Sequence, residues 1–196
     1  SIIISERDTG VYDALNKGLD LADGDIVGVL HSDDIFYSER TLAEIVETHE
    51  KHPYVDGTYG DVFFKKAIGD SKVIRINKSK PLNLKNITYG MFPGHSSVFL
   101  KMNKKIRDVR YKKNFKIGGD FEYMVRLLVE RKVDLLNMNQ PISVMEIGGL
   151  STNGISSYIT LSKEMIDALR MNKVFTSKIK IYFRAFKKIT QYLNTK

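Results

Sequence analysis

Between Val11 and Leu30 the apolar pattern changes its period. Val11, Leu15, Leu19 and Ala22 recur at helical spacing, and Ile26 to Leu30 then form an unbroken apolar run. With the strand-like "SIII" at residues 1–4, this reads as strand, helix, strand, the pattern that most restricts the fold. It predicts an α/β protein with a mostly parallel sheet flanked by helices, and parallel sheets place their ligands at the carboxyl ends of the strands. The apolar run ends in "LHSDD", so Asp33 and Asp34 stand at such an end.

The same pattern continues along the chain. A helix is predicted over about 39–52, with Leu42, Ile45, Val46 and His49 inward and Pro53 as its stop. Strands are predicted at 57–64, 73–76, 96–100 and 133–138. A further helix begins near Gly119 or Asp120 and carries Phe121, Met124, Leu128 and Val129. No internal repeat or low-complexity segment interrupts the series.

Two adjacent carboxylates at a strand end repel each other unless something positive lies between them. A hard divalent cation, Mg²⁺ or Mn²⁺, suits the place, because it takes oxygen ligands and leaves positions for water and substrate phosphates. A solvated loop entrance explains an acidic pair equally well when the pair is taken alone.

Composition excludes several alternatives. The chain of 196 residues has no cysteine, which removes disulfides, Cys-type zinc, iron–sulfur clusters and thiol catalysis. No apolar run is long enough to span a membrane. Of the formal net charge of +8, seven positive residues and no acid lie between Met171 and Lys196, so the preceding body is close to neutral. That body lacks the basic, aromatic face of a nucleic-acid-binding domain. Ile179, Tyr182, Phe186, Ile189 and Leu193 repeat at spacings of 3, 4, 3 and 4, with basic residues filling the other face. Such a helix suits an anionic membrane surface or a partner's groove, or it packs back on its own domain.

The stretch "SERDTGVYDALNKGLDLADGDIVGVLHSDD" resembles, nearly end to end, a segment of the family 2 glycosyltransferases. "GHSSVFLK", "FKIGGDFEYMVRLL" and "EIGGLST" are similar to three further motifs of that family, in the family's order. The resemblance implies a GT-A fold, Rossmann-like, over 1–155, with a basic, helical, amphipathic extension over 156–196. It implies an inverting transfer of a sugar from a nucleotide-diphosphate sugar to a hydroxyl of a lipid-linked or saccharide acceptor. The setting it implies is surface polysaccharide synthesis on the cytoplasmic face of the cell membrane. Relatives carry a further strand and helix upstream that nothing here matches. The expectation is therefore an N-terminally incomplete unit, or a donor site completed by another chain such as a homo-oligomeric partner. The alternative is a non-catalytic fragment that docks to a membrane or partner. A Mg²⁺-dependent nucleotidyltransferase would also use paired acids, but needs a basic phosphate-gripping loop that this sequence lacks.

By the same resemblance, Asp33 and Asp34 hold the divalent ion that bridges the donor's diphosphate, and His31 stands where many relatives place the first acid of D-x-D. Asp8 and Asp13, with Asp33, line the nucleotide-sugar cleft, Asn16 and Lys17 support the metal loop or the diphosphate, and His95 faces the acceptor or the diphosphate; an exposed helical carboxylate at Asp13, a surface lysine at Lys17 and a structural histidine at His95 are the ordinary alternatives. Asp120 is the catalytic base. It follows Gly118 and Gly119, whose bare backbone would admit a substrate closely, and stands at a helix N-terminus where a plain capping aspartate is the ordinary alternative. Glu122 is turned away from it by the helix. His49 and His52 have ligand-like spacing but no third partner, and read as ordinary helical histidines.

Overall fold

The computed structural model describes residues 2–147 and 154–184. In chain order the elements are α1 (Val11–Leu21), β1 (Ile26–Gly28), β2 (Asp34–Phe36), α2 (Thr41–Lys51), β3 (Gly57–Lys65), β4 (Arg75–Asn77), α3 (Leu84–Ile87), β5 (Val98–Lys101), α4 (Gly119–Val129), β6 (Leu135–Glu146), α5 (Gly154–Met171) and α6 (Lys178–Tyr182). A 3₁₀ turn at His95–Ser97 leads into β5.

The sheet runs β1-β5-β3-β6-β2, with β4 added on β3. The α/β class with flanking helices is as expected, but the strand directions are mixed rather than mostly parallel. Only β3 and β6 pair in parallel among the described residues. β1 with β5, β5 with β3, β4 with β3 and β2 with β6 are all antiparallel. The expected strand at Ile2–Ile4 is absent: these residues pair with no strand among the described residues, and Ile3 is 92% exposed. The run from Ile26 supplies only a three-residue edge strand, because beyond Gly28 the chain leaves one edge and reappears as β2 at the other.

Alternation along β5 separates two apolar layers, since successive side chains of a strand point to opposite faces. Val98 and Leu100 join the main core with α1, α4 and α5, whereas Phe99 packs with Ile45 of α2 and Ile142. On α2 the inward stripe is Thr41, Ile45 and His49, one helical position away from part of the expected face. Leu42 and Val46 are therefore about half exposed. His49 is satisfied by Thr58 Oγ1 at 3.2 Å, which fits its reading as an ordinary helical histidine.

β6 is longer than the sequence suggests. Asn139 adopts a left-handed conformation (φ 53°) and Pro141 follows, two residues that read as a strand end. The ladder absorbs them in a register shift opposite Tyr59 and Asp61, and continues to Glu146. The helices after residue 154 share the main core: Leu161, Met165, Ala168, Leu169 and Ile181 belong to the cluster that holds Phe121 and Tyr12.

Candidate active site

The loop between β1 and β2 joins opposite edges of the sheet, so it crosses the end of the strands between them. A turn closes it, with the Asp34 N–H donating to the His31 carbonyl at 3.1 Å. The two acids do not share one environment. Asp33 is exposed and Asp34 is 5% exposed. Both Asp34 carboxyl oxygens are buried without a hydrogen-bond partner. Burial raises the Asp34 pKa, the first cause, opposed by the nearby His31 ring and reinforced by the Asp33 charge. Ser96 is close enough to lower it a little, but its hydroxyl is engaged with Ser143 Oγ at 2.8 Å.

From this loop a polar chain runs inward. His31 Nε2 lies 3.3 Å from His95 Nδ1, and His95 Nε2 lies 2.7 Å from the Tyr111 hydroxyl. Burial, then the neighbouring His31, depresses the His95 pKa to about 3, so this imidazole is neutral. His95 and Tyr111 also border a narrow cavity of about 20 Å³ against α1, β1 and β5. Tyr111 stacks on Tyr123 at 4.2 Å and on Tyr12 at 5.9 Å. The Tyr12 hydroxyl reaches the first turn of α4.

Asp120 stands in that first turn, partly exposed, its Oδ1 accepting from the Phe121 N–H at 2.7 Å. Its pKa is raised to about 6. Burial is the main cause, the local backbone N–H groups and Arg184 oppose it, and Glu164 adds to it. Glu122 is wholly buried between Lys112 (2.9 Å) and Arg126 (3.0 Å), which removes it from any exposed chemistry.

The glycines before Asp120 have another use than substrate approach. A Cβ on Gly119 would lie 2.6 Å from the Tyr12 ring, and one on Gly118 would lie 3.1 Å from the Glu164 side chain. The bare backbone admits protein side chains. Tyr12 and Glu164 are the residues that sequence reasoning missed. The tyrosine of "GVYDALNKG" was the visible signal for Tyr12, and nothing local marked Glu164.

The other expected donor-side residues are engaged with the protein. Asn16 spends both ends of its amide on the Tyr111 backbone, at 2.9 and 2.7 Å, so it fixes a loop. Lys17 pairs with Asp8 at 2.9 Å and with Glu6, and these partners raise its pKa. Asp13 accepts from the Thr9 backbone and hydroxyl at 2.9 Å each and pairs with Lys113 at 3.1 Å, which holds its pKa down to about 2. Most of the "EIGGLST" motif and the tail beyond Arg184, with Phe186, Lys187, Lys188, Ile189 and Leu193, lie outside the described residues.

Among the described residues no three His, Asp or Glu side chains converge as a metal site. Asp33 and Asp34 nevertheless fit Mg²⁺ or Mn²⁺, which commonly take one or two protein carboxylates and complete their shell with water and phosphate. Asp34 is a buried carboxylate with no partner, and Asp33 is a reachable one beside it.

A mixed sheet between helices, with an acid-bearing loop across its end and a raised aspartate at a helix N-terminus, is the architecture of a GT-A glycosyltransferase. The sequence profile of Glycosyl transferase family 2 matches residues 1–107, and the chain belongs to that family. A PGL/p-HBAD biosynthesis glycosyltransferase of Mycobacterium bovis is 26% identical over 172 residues, 87% of this chain. The chain spans 62% of that relative's length. Staphylococcus aureus TarS in complex with UDP-GlcNAc superposes with a TM-score of 0.58 at 14% identity, covering 94% of this chain and 55% of the other. The mannosyltransferase PcManGT of Pyrobaculum calidifontis, in complex with GDP-Man and Mn²⁺, gives 0.54 at 15% identity, covering 93% and 49%.

Proposed function

We propose that the chain carries the catalytic centre of an inverting glycosyltransferase, with Asp120 as the general base and a nucleotide-diphosphate sugar as donor. The observation that carries this reading is Asp120 itself: a partly exposed carboxyl with a pKa near 6, joined to the acidic loop by the chain His31, His95, Tyr111 and Tyr12. A base works best when its pKa lies near the working pH, and burial supplies that shift here. The acceptor oxygen attacks the anomeric carbon while its proton passes to the Asp120 carboxylate. The bond from that carbon to the diphosphate breaks, and the nucleoside diphosphate leaves with the electron pair. Asp33 is the carboxylate a divalent cation can reach and Asp34 the one behind it. The bound cation would neutralise charge on the departing diphosphate. His95, held neutral between His31 and Tyr111, keeps the aromatic column in register with the loop.

The structural neighbours, bound to UDP-GlcNAc and GDP-Man, support the donor class, and the M. bovis relative supports glycolipid or polysaccharide synthesis as the setting. A lipid-linked acceptor fits the end of the described chain. Phe175 and Ile179 are more than 80% exposed and Phe183 about half, beside Lys178 and Lys180, whereas Ile181 and Arg184 turn inward onto the core. That exposed apolar and basic strip favours peripheral contact with anionic lipid at the cytoplasmic face. No described helix is long and apolar enough to cross a membrane.

The experiment is turnover of UDP-GlcNAc and GDP-mannose with Mn²⁺, wild type against Asp120→Asn. A loss of about 10² or more in turnover, with donor affinity nearly unchanged, is the expected result. A variant that keeps its turnover removes Asp120 from the reaction, and a wild type without turnover favours the docking-module reading. Recovery with anionic but not neutral liposomes, reduced by Ile179→Ser, checks the strip.

A further inference from the structure

The loop that presents Asp120 is held from two distant places. Glu164 on α5 accepts from the backbone N–H groups of Lys116 (2.7 Å), Ile117 (2.9 Å) and Gly118 (2.7 Å). Tyr12 on α1 donates its hydroxyl to the Ile117 carbonyl at 2.6 Å and accepts from the Gly119 N–H at 2.8 Å. Four consecutive N–H groups, from 116 to 119, thus end on two side chains, and Asp120 is the next residue. The first N–H groups of a helix have no partner within it and are usually capped by a neighbouring side chain. Gly118, at the N-cap of α4, has no side chain to offer.

The arrangement does more than satisfy donors. Three N–H groups on one carboxylate hold the Glu164 side chain in a single place beside the loop that ends in Asp120. Gly118 and Gly119 are the residues that let the two clamps approach, since a methyl at either would crowd Glu164 or the Tyr12 ring. The groups that act on Asp120 are Tyr12 from α1, Tyr111 from the loop before α4, Glu164 from α5, and Arg184 just past α6, with the backbone N–H of Phe121 on its own helix.

We propose that Glu164 and Tyr12 are positioning residues for the transfer reaction: by clamping the four N–H groups before it, they hold the Asp120 carboxyl in place. This rests on the reading of Asp120 as the base. Glu164→Gln removes the charge and turns an amide N–H₂ toward at least one of the three donors. Tyr12→Phe keeps the ring and its stack on Tyr111 but removes both hydrogen bonds.

Three measurements on the full chain test it. Carbon NMR titration of the Asp120 carboxyl should show a midpoint moved in the downward direction in Glu164→Gln, because Glu164 is one of the groups that raise it. Amide exchange at 116–119 should quicken in both variants without global unfolding. With UDP-GlcNAc or GDP-mannose as probe, kcat should fall about tenfold or more while donor KM stays within about twofold, and Glu164→Asp should recover part of the loss. Amide exchange at 116–119 that is the same in wild type, Glu164→Gln and Tyr12→Phe overturns the proposal, whatever the turnover. So does a variant whose loop exchanges faster while kcat and its acid limb stay where they were. Should Glu164→Gln fail to fold, Tyr12→Phe carries the same test through exchange and kcat. Full turnover in Asp120→Asn would instead refute the base assignment, and the NMR and exchange results would still stand by themselves.

Discussion

The two carboxylate centres of this chain are built in opposite ways. The acidic loop is local: His31, Asp33 and Asp34 fall within four residues, and the loop is shaped by one turn and the start of an edge strand. It leaves Asp34 buried and without a partner. The Asp120 centre is assembled at long range, from a loop held by α1 and α5 and a column of three tyrosines. On the roles proposed above, the acidic loop would be completed by a cation, whereas the Asp120 centre is completed by the protein's own side chains. A group that must meet a phosphate-bound ion gains from adaptable surroundings, whereas a base gains from a fixed position, since misplacement of about 1 Å costs roughly a hundredfold in rate.

The largest effect should come from the far support of the base. Leu169 is wholly buried in the main core, on the same helix as Glu164. Leu169→Ala should destabilise the chain by about 2–5 kcal/mol, and the melt should stay a single transition because α5 shares its core with α1 and α4. Two separate transitions would show that the C-terminal helices form their own unit, and would break the comparison.

Next comes the contact that makes the clamp possible. Gly119→Ala places a methyl 2.6 Å from the Tyr12 ring, an overpacking expected to cost about 1–3 kcal/mol. Gly10→Ala meets no atom within 4 Å, so any loss there reports only its left-handed backbone. If the two variants melt alike at the Asp120 end of the protein, as read by local amide exchange, Tyr12 is not seated as described.

What could be read from the sequence follows the same division. The acids, His95 and Asp120 stand out as candidates because each lies in a short motif, and α4 is legible from its apolar period and the glycines before it. Tyr12 lies inside a quoted motif, yet its role depends on a partner more than a hundred residues away, which no local pattern encodes. Glu164 reads as one more exposed helical acid. Asn16 and Lys17 were legible as polar residues of the donor-side helix, but whether such groups face a ligand or the protein is decided by tertiary contacts. The mixed sheet was hidden for a similar reason: strand direction is set by pairing, and an apolar run is the same in either direction. The strand expected over 133–138 falls short of β6: Asn139 and Pro141 are residues that ordinarily end a strand, and only the bulge opposite β3 lets the ladder pass them.

Protonation of buried histidines and of Asp120 acts on stability in opposite senses, with a smaller effect. His49 and His95 are depressed by burial to about 4 and about 3. Their contribution to stability is present above the unfolded histidine value near 6.5 and is lost as pH falls toward 4. Asp120 acts in the other sense. Its folded pKa, about 6, lies above the unfolded carboxyl value, so its contribution falls as pH rises through the window from about 4 to 6. Thermal melts should therefore drop by a few degrees, about 2–6 °C, between pH 7 and pH 5, and Asp120→Asn should make that drop steeper. A shallower drop in the variant would show that Asp120 is not raised.

The smallest effect sets the two neighbouring acids against each other. Asp34 carries its charge in a buried place with no hydrogen bond, so the folded state prefers it neutral. Asp34→Asn keeps the shape and removes the charge, and its new N–H₂ faces a region that holds the Ser96 and Ser143 hydroxyls. Without added metal, this variant should be more stable than wild type by about 1 kcal/mol. Asp33 is exposed, and Asp33→Asn should leave stability within about 0.5 kcal/mol. Added Mn²⁺ should reverse the order. Wild type, whose carboxylates suit the ion, should gain thermal stability as Mn²⁺ rises, and both variants should gain less, since an ion that binds only the folded state stabilises it by mass action. If Mn²⁺ raises the melting temperature of wild type and both variants equally, the ion binds elsewhere. If Asp34→Asn is instead the less stable protein without metal, the Asp34 carboxylate has a partner in solution, and the two centres are more alike than their contacts suggest.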